Sequence, residues 1–168
     1  MIDDELLLTT VHDTAIRRLQ HAYADVCNRR AWAEMPDLFL DGAEVVVDVR
    51  SGEPIRLAGG AAVGAFIGTS IARFEFFEFE ILNAHIQFAE GPGAGTAAAR
   101  MFICEHRQDA SNGHWTDAYG LYHDRYAFVS GRWWFAGRQY HSLARNTRDA
   151  EVLGLPETPP FELPAFGG

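Results

Sequence analysis

The sequence predicts an α+β domain, on three observations. Apolar residues recur at helical spacing only in the N-terminal part of the chain. From Phe74 the pattern changes to a period of two, the signature of strands with one drier face. Turn residues then divide the strand-rich part into consecutive segments. Helices grouped before strands argue for an antiparallel sheet and against a parallel, doubly wound one.

The first helix is expected over about Asp13–Arg30, with Asp13 as its N-cap. Ile16, Leu19, Tyr23, Val26 and Cys27 share one face of it, and His21 and Asp25 lie on the other. Trp32–Leu40 reads as a short second helix with Pro36 early in it, ended by Gly42. Residues 43–49 (AEVVVDV) read as a strand, and Ser51-Gly52 turns the chain into a short strand near Ile55–Leu57. Gly59–Thr69 carries the small and apolar residues of a third helix. In the strand beginning near Phe74, parity places Phe74, Phe76, Glu80, Leu82, Ala84, Ile86 and Phe88 on the dry face. Asn83, His85 and Gln87 fall on the other. Strands follow at Thr96–Arg107, Trp115–Val129 and Arg132–Leu143, with a Gly-Pro turn before the first and a Ser130-Gly131 hairpin before the last.

At 168 residues the chain fits one domain, residues 1–150, with a Pro/Gly-rich tail at 151–168 expected to lie over the surface. Hydrophobic residues make up 48% and aromatics 12%, which favours a large apolar interior or an apolar cavity wall. The net charge of −9 disfavours nucleic acid as a partner. Cys27 and Cys104 form no CxxC pair and read as reduced thiols of a cytoplasmic protein. The acidic start MIDDELLLTT lacks the basic flank of a signal peptide, and no apolar run approaches the ~20 residues of a membrane span, so no membrane partner is expected.

Two segments carry a family resemblance. YADVCNRRAW (23–32) is similar to the Tyr, Asp and Asp-Trp pattern that ends helix one in SnoaL-like proteins of the nuclear-transport-factor-two-like superfamily, scytalone-dehydratase-like members included. GLYHDRYAFVSGRWWFAGR (120–138) resembles that family's last hairpin, where Gly-x-Trp is followed by an Arg. The resemblance implies a cone-shaped, curved antiparallel sheet closed by three N-terminal helices around a pocket. It further implies cofactor-free acid–base chemistry (dehydration, isomerisation or cyclisation) on a hydrophobic polyketide-, steroid- or terpenoid-like molecule. The alternative is a non-catalytic binding or accessory subunit, such as the small subunit of a ring-hydroxylating dioxygenase. A homodimer or higher symmetric oligomer is expected through the outer sheet face around Asn83, His85 and Gln87.

The His-Asp base of the dehydratase-like members is not reproduced. Their helix-one Asp falls on Asn28, the Tyr before it on Cys27, and the Asp before the Trp on Ala31; their two strand histidines fall on Glu80 and near Arg100. The site expected from parity and resemblance together therefore brings Glu80, Arg100, Tyr23 and Tyr122 to one cavity, with Asn28 and Asp124 at its edge. Glu80 is either a pocket acid or base, its pKa raised by an apolar wall, or an ion-pair partner of Arg100. Asp124 is either an acid partner or the partner of Arg138 across the hairpin. His21 and Asp25 stand i, i+4, but a third ligand is lacking, so neither a metal nor another cofactor is expected. Trp133, Trp134 and Phe135 read as core or interface aromatics.

Overall fold

A computed structural model describes residues 3–88 and 90–146. The expected tail lies outside these residues. Helix α1 spans Asp4–Arg29, about two and a half turns longer at its start than the periodicity suggested. Its N-cap is Asp3, whose carboxylate accepts a hydrogen bond from the Glu5 amide, and Asp4 and Glu5 favour the positive end of the helix dipole. Arg30 ends the helix in the left-handed conformation. A 3-10 helix at Trp32–Leu38 accommodates Pro36, and strand β1 (Phe39–Asp48) follows directly, with Gly42 at φ +70° inside it rather than before it. Strand β2 is Ile55–Ala58, and helix α2 spans Gly59–Ile71.

Four long strands form a meander: β3 (Phe74–Gln87), β4 (Thr96–Asp109), β5 (Trp115–Val129) and β6 (Arg132–Asn146). Ser130 (φ 52°) and Gly131 (φ 82°) make the tight hairpin turn between β5 and β6. The six strands lie in one curved sheet, ordered β2-β1-β6-β5-β4-β3. All neighbours are antiparallel except β1 and β6, which pair in parallel, a contact no sequence signal announced. The curved sheet, open between β2 and β3, wraps α1, the 3-10 helix and α2 in the cone-shaped α+β arrangement expected.

Helix α2 sits unusually close to the 3-10 helix because Gly60, Gly64 and Gly68 form one face of it. A Cβ on Gly60 would stand 2.3 Å from the Met35 carbonyl oxygen, and one on Gly64 2.8 Å from that of Trp32. Val63, Phe66, Ile67 and Ile71 are thereby held over the inner face of the sheet.

The parity of β3 is not continuous. Its register against β4 shifts between Phe74 and Phe76 and again between Ile81 and Asn83. Each shift inserts one residue and turns the following side chains to the opposite face. Phe77 and Phe79 therefore point inward and are buried. Phe76 and Leu82, expected inside, are 39% and 54% exposed. After the second shift Ala84, Ile86 and Phe88 face the core again, as expected.

Candidate functional site

Inside the cone lies a cavity of about 250 Å³. One wall is aliphatic, from Val45, Val47 and Leu57 of the sheet and Val63, Ile67 and Ile71 of α2. The facing wall comes from α1 and the long strands and is aromatic and polar: Tyr23, Phe79, Tyr122, Tyr140, Glu105 and Arg138.

Strand pairing sets this polar wall. Asp124 on β5 stands opposite Arg138 on β6, and Tyr122 opposite Tyr140. Arg138 Nε donates to Asp124 Oδ1 at 2.7 Å and Nη2 to Oδ2 at 2.8 Å, both side chains being fully buried. Tyr126 donates its hydroxyl to the same carboxylate at 2.8 Å, and Gln20 Nε2 donates to the Tyr126 oxygen at 2.9 Å. The Arg138 guanidinium lies 4.2 Å from the ring centres of both Tyr23 and Tyr122, and 4.3 Å from that of Phe135. Aromatic faces thus share in neutralising a cation far from water. Its Nη1 is buried without a hydrogen-bond acceptor among the described residues.

Burial pushes the Tyr23 and Tyr122 hydroxyls well above their ordinary pKa, and that of Tyr140 up to about 12. It also pushes the Cys27 thiol, beside Tyr23, up to about 12. At neutral pH all four groups are protonated and act as donors rather than bases. The Tyr140 ring can lie flat against β5 because Gly120 has no side chain: a Cβ there would stand 2.2 Å from Tyr140 Cε2. Glu105 is the one carboxylate among the cavity's described lining residues, and Arg107 Nη2 donates to it.

Of the expected site, Tyr23 and Tyr122 line the cavity, and Asp124 supports it from behind by holding Arg138. The expectation for Glu80 and Arg100 does not hold geometrically. The first register shift turns Glu80 to the outer face, where its side chain is 48% exposed and 3.6 Å from His106 Nε2. Arg100 alternates with Ala99 and Met101, which face the core, and so also lies outside, beside His123. Asn28 is exposed and clamps β3: its Nδ2 donates to the Phe79 carbonyl at 3.1 Å, and its Oδ1 accepts from the Phe79 amide at 2.6 Å. His21 is exposed and Asp25 pairs with Arg29 at 2.8 Å. Trp133 and Phe135 are core residues, whereas Trp134 stacks under Arg132.

Glu105 and Arg107 were not anticipated. The signal was present: Ala97, Ala99, Met101 and Ile103 alternate along β4, and the same parity continues through Glu105 and Arg107.

Several solved structures share the fold. A candidate scytalone dehydratase from Novosphingobium aromaticivorans is 20% identical, with 89% of this chain and 98% of that one covered at a TM-score of 0.72. The hexachlorocyclohexane dehydrochlorinase LinA-type3 from Novosphingobium barchaimii is 15% identical, covering 92% and 99% at 0.70. The beta subunit of a candidate aromatic-ring-hydroxylating dioxygenase from Novosphingobium aromaticivorans is 19% identical, covering 80% and 90% at 0.64. At such identities the likeness speaks for the fold alone. No curated protein matches the sequence. Residues 10–139 match the model of the SnoaL-like domain, and the chain belongs to that family.

Proposed function

We propose that the cavity is the active site of a small enzyme that performs acid–base chemistry on an apolar, carbonyl-bearing molecule, by dehydration, isomerisation or cyclisation. The observation that carries this reading is the pairing of unlike groups around one apolar chamber. Arg138 brings a buried N–H without an acceptor, and Tyr23, Tyr122 and Tyr140 bring hydroxyls that stay protonated. These donors suit a ligand carbonyl oxygen and the negative charge that develops on it. Glu105 is the base: it takes a proton from the carbon next to the carbonyl, and the electron pair of that C–H bond moves onto the oxygen. Return of the proton to another carbon gives an isomer. Loss of a β-hydroxyl, leaving as water with that proton, gives a dehydrated product. Arg107 keeps Glu105 oriented by donating to it from Nη2.

The candidate scytalone dehydratase and the dehydrochlorinase among the fold relatives support an elimination over other acid–base reactions. The test is turnover of α,β-eliminable carbonyl compounds with purified protein, comparing the native chain with Glu105→Gln. Elimination that is unaffected by this substitution refutes the assignment.

A second reading is a binding or accessory subunit. It is favoured by the absence of histidine among the described lining residues and by the ion pair that already occupies Glu105. Stable co-purification with a larger oxygenase subunit, without turnover by the chain itself, would support it. Under either reading two copies are expected to pair through the outer sheet face, where the tilted rings of Phe76 and Trp115 meet with their centres 5.2 Å apart in exposed positions.

A further inference from the structure

The distribution of charge around the cavity opposes that of the whole chain. The sequence carries a net charge of −9, and all of its 14 basic residues are arginines. Among the described residues that line the cavity, however, four are arginines (Arg73, Arg107, Arg138 and Arg145) against the single carboxylate of Glu105.

These arginines fall into two groups. Arg138 is deep, fully buried and bound by Asp124. The other three gather where β3 begins and β4 and β6 end. The guanidinium groups of Arg73 and Arg107 lie 4.7 and 5.5 Å from the centre of the Phe74 ring. Arg145 belongs to the cross-strand row that runs from Glu105 through Ala118. Arg73 is 70% exposed and Arg145 is exposed, so this end is the mouth.

The carboxylates at the mouth do not balance these charges. Arg107 spends Nη2 on Glu105 and leaves a buried Nε without an acceptor. Arg73 reaches Asp109 only at 3.8 Å. Among the described residues no carboxylate pairs with Arg145. Burying an unpaired guanidinium N–H is costly, and planar guanidinium groups match carboxylates better than any other common anion except phosphate.

From this we infer that the cavity's ligand is an apolar molecule bearing a carboxylate, its body against the valines and α2 and its carboxylate held at the mouth by Arg73, Arg107 and Arg145. The inference rests on the reading of the cavity as the ligand site and adds the ligand's charge. A neutral oxygen at the other end of the molecule would meet Arg138, Tyr23 and Tyr122.

The test is calorimetric titration at pH 7.5 with two isosteric probes, 2-naphthoate and neutral 2-naphthamide. The carboxylate is expected to bind at least about tenfold more tightly, the size of one charge-assisted contact over a neutral one. In the double variant Arg73→Gln/Arg145→Gln, both changes being at exposed positions, that preference should shrink severalfold, leaving only the share of Arg107, while the amide's affinity is kept. Equal affinity for the two probes in the native protein, or a preference that the double substitution leaves unchanged, overturns the inference and leaves the cavity reading standing. Failure of both probes to bind, or binding unaffected by filling the chamber with Val63→Trp, overturns both.

Discussion

Arg138 and Asp124 form a two-bond ion pair, 2.7 and 2.8 Å long, in which neither side chain reaches solvent. The pair depends on a bulge. A regular ladder from the Val129–Arg132 end would set Gly137 opposite Asp124; one extra residue in β6, beyond the Phe135–Tyr126 pair, sets Arg138 there instead. Removing one partner of a buried pair strands the other charge. Asp124→Ala should therefore lower unfolding stability by about 3–5 kcal/mol. Chemical denaturation measures it, and a loss under about 1 kcal/mol would show that the three aromatic faces suffice to hold the cation.

Glu105 and Glu80 provide a paired contrast in the proposed chemistry. Glu105→Gln removes the base and should cut turnover of an identified substrate by about 10²-fold or more. Glu80→Gln, on the outer face, should leave turnover unchanged. The opposite ranking, measured by steady-state kinetics, would remove Glu105 from the mechanism.

These residues also show what could be read in the sequence. Element order, the Ser130-Gly131 hairpin and the inward row Tyr122, Asp124, Tyr126 were legible because turn chemistry and period-two alternation are local. The alternation on β4 was equally legible through Glu105 and Arg107. Glu80 was misplaced because a bulge adds one residue without altering composition: EFFEFE contains both parities of phenylalanine, and only pairing with β4 decides which faces inward. The parallel β1–β6 contact and the cavity itself arise from packing between distant segments and leave no local pattern.

The glycine face of α2 predicts a cost that propensity alone would reverse. Alanine favours helices over glycine by about 1 kcal/mol. At Gly60, however, the added methyl meets backbone atoms of Met35 and Pro36, which cannot rotate aside. Gly60→Ala should destabilise the fold by about 1–3 kcal/mol. An unchanged or raised melting temperature would show that α2 can move off the 3-10 helix.

The last prediction concerns pH. His123, 1% exposed, has its pKa lowered from 6.5 to about 4, mainly because burial disfavours the charged ring, with His141 and Arg100 adding repulsion and Asp124 opposing them weakly. His141 is lowered for the same first reason, although Asp48 partly compensates. A histidine whose folded pKa lies below its unfolded value stays neutral in the fold while the unfolded chain takes up a proton. Its neutral form then contributes stability that is fully present above about pH 6.5 and is lost as pH falls toward 4. His106 has the opposite sign: its hydrogen bond to Asp117 raises its pKa, so its contribution is present in acid and lost as pH rises through the raised value. Denaturation midpoints measured from pH 7 down to pH 4 should therefore fall, and the fall should be shallower in His123→Gln. A native curve that is flat or rises over this range would show that His123 does accept its proton in the fold, with the outer sheet face opening to admit water.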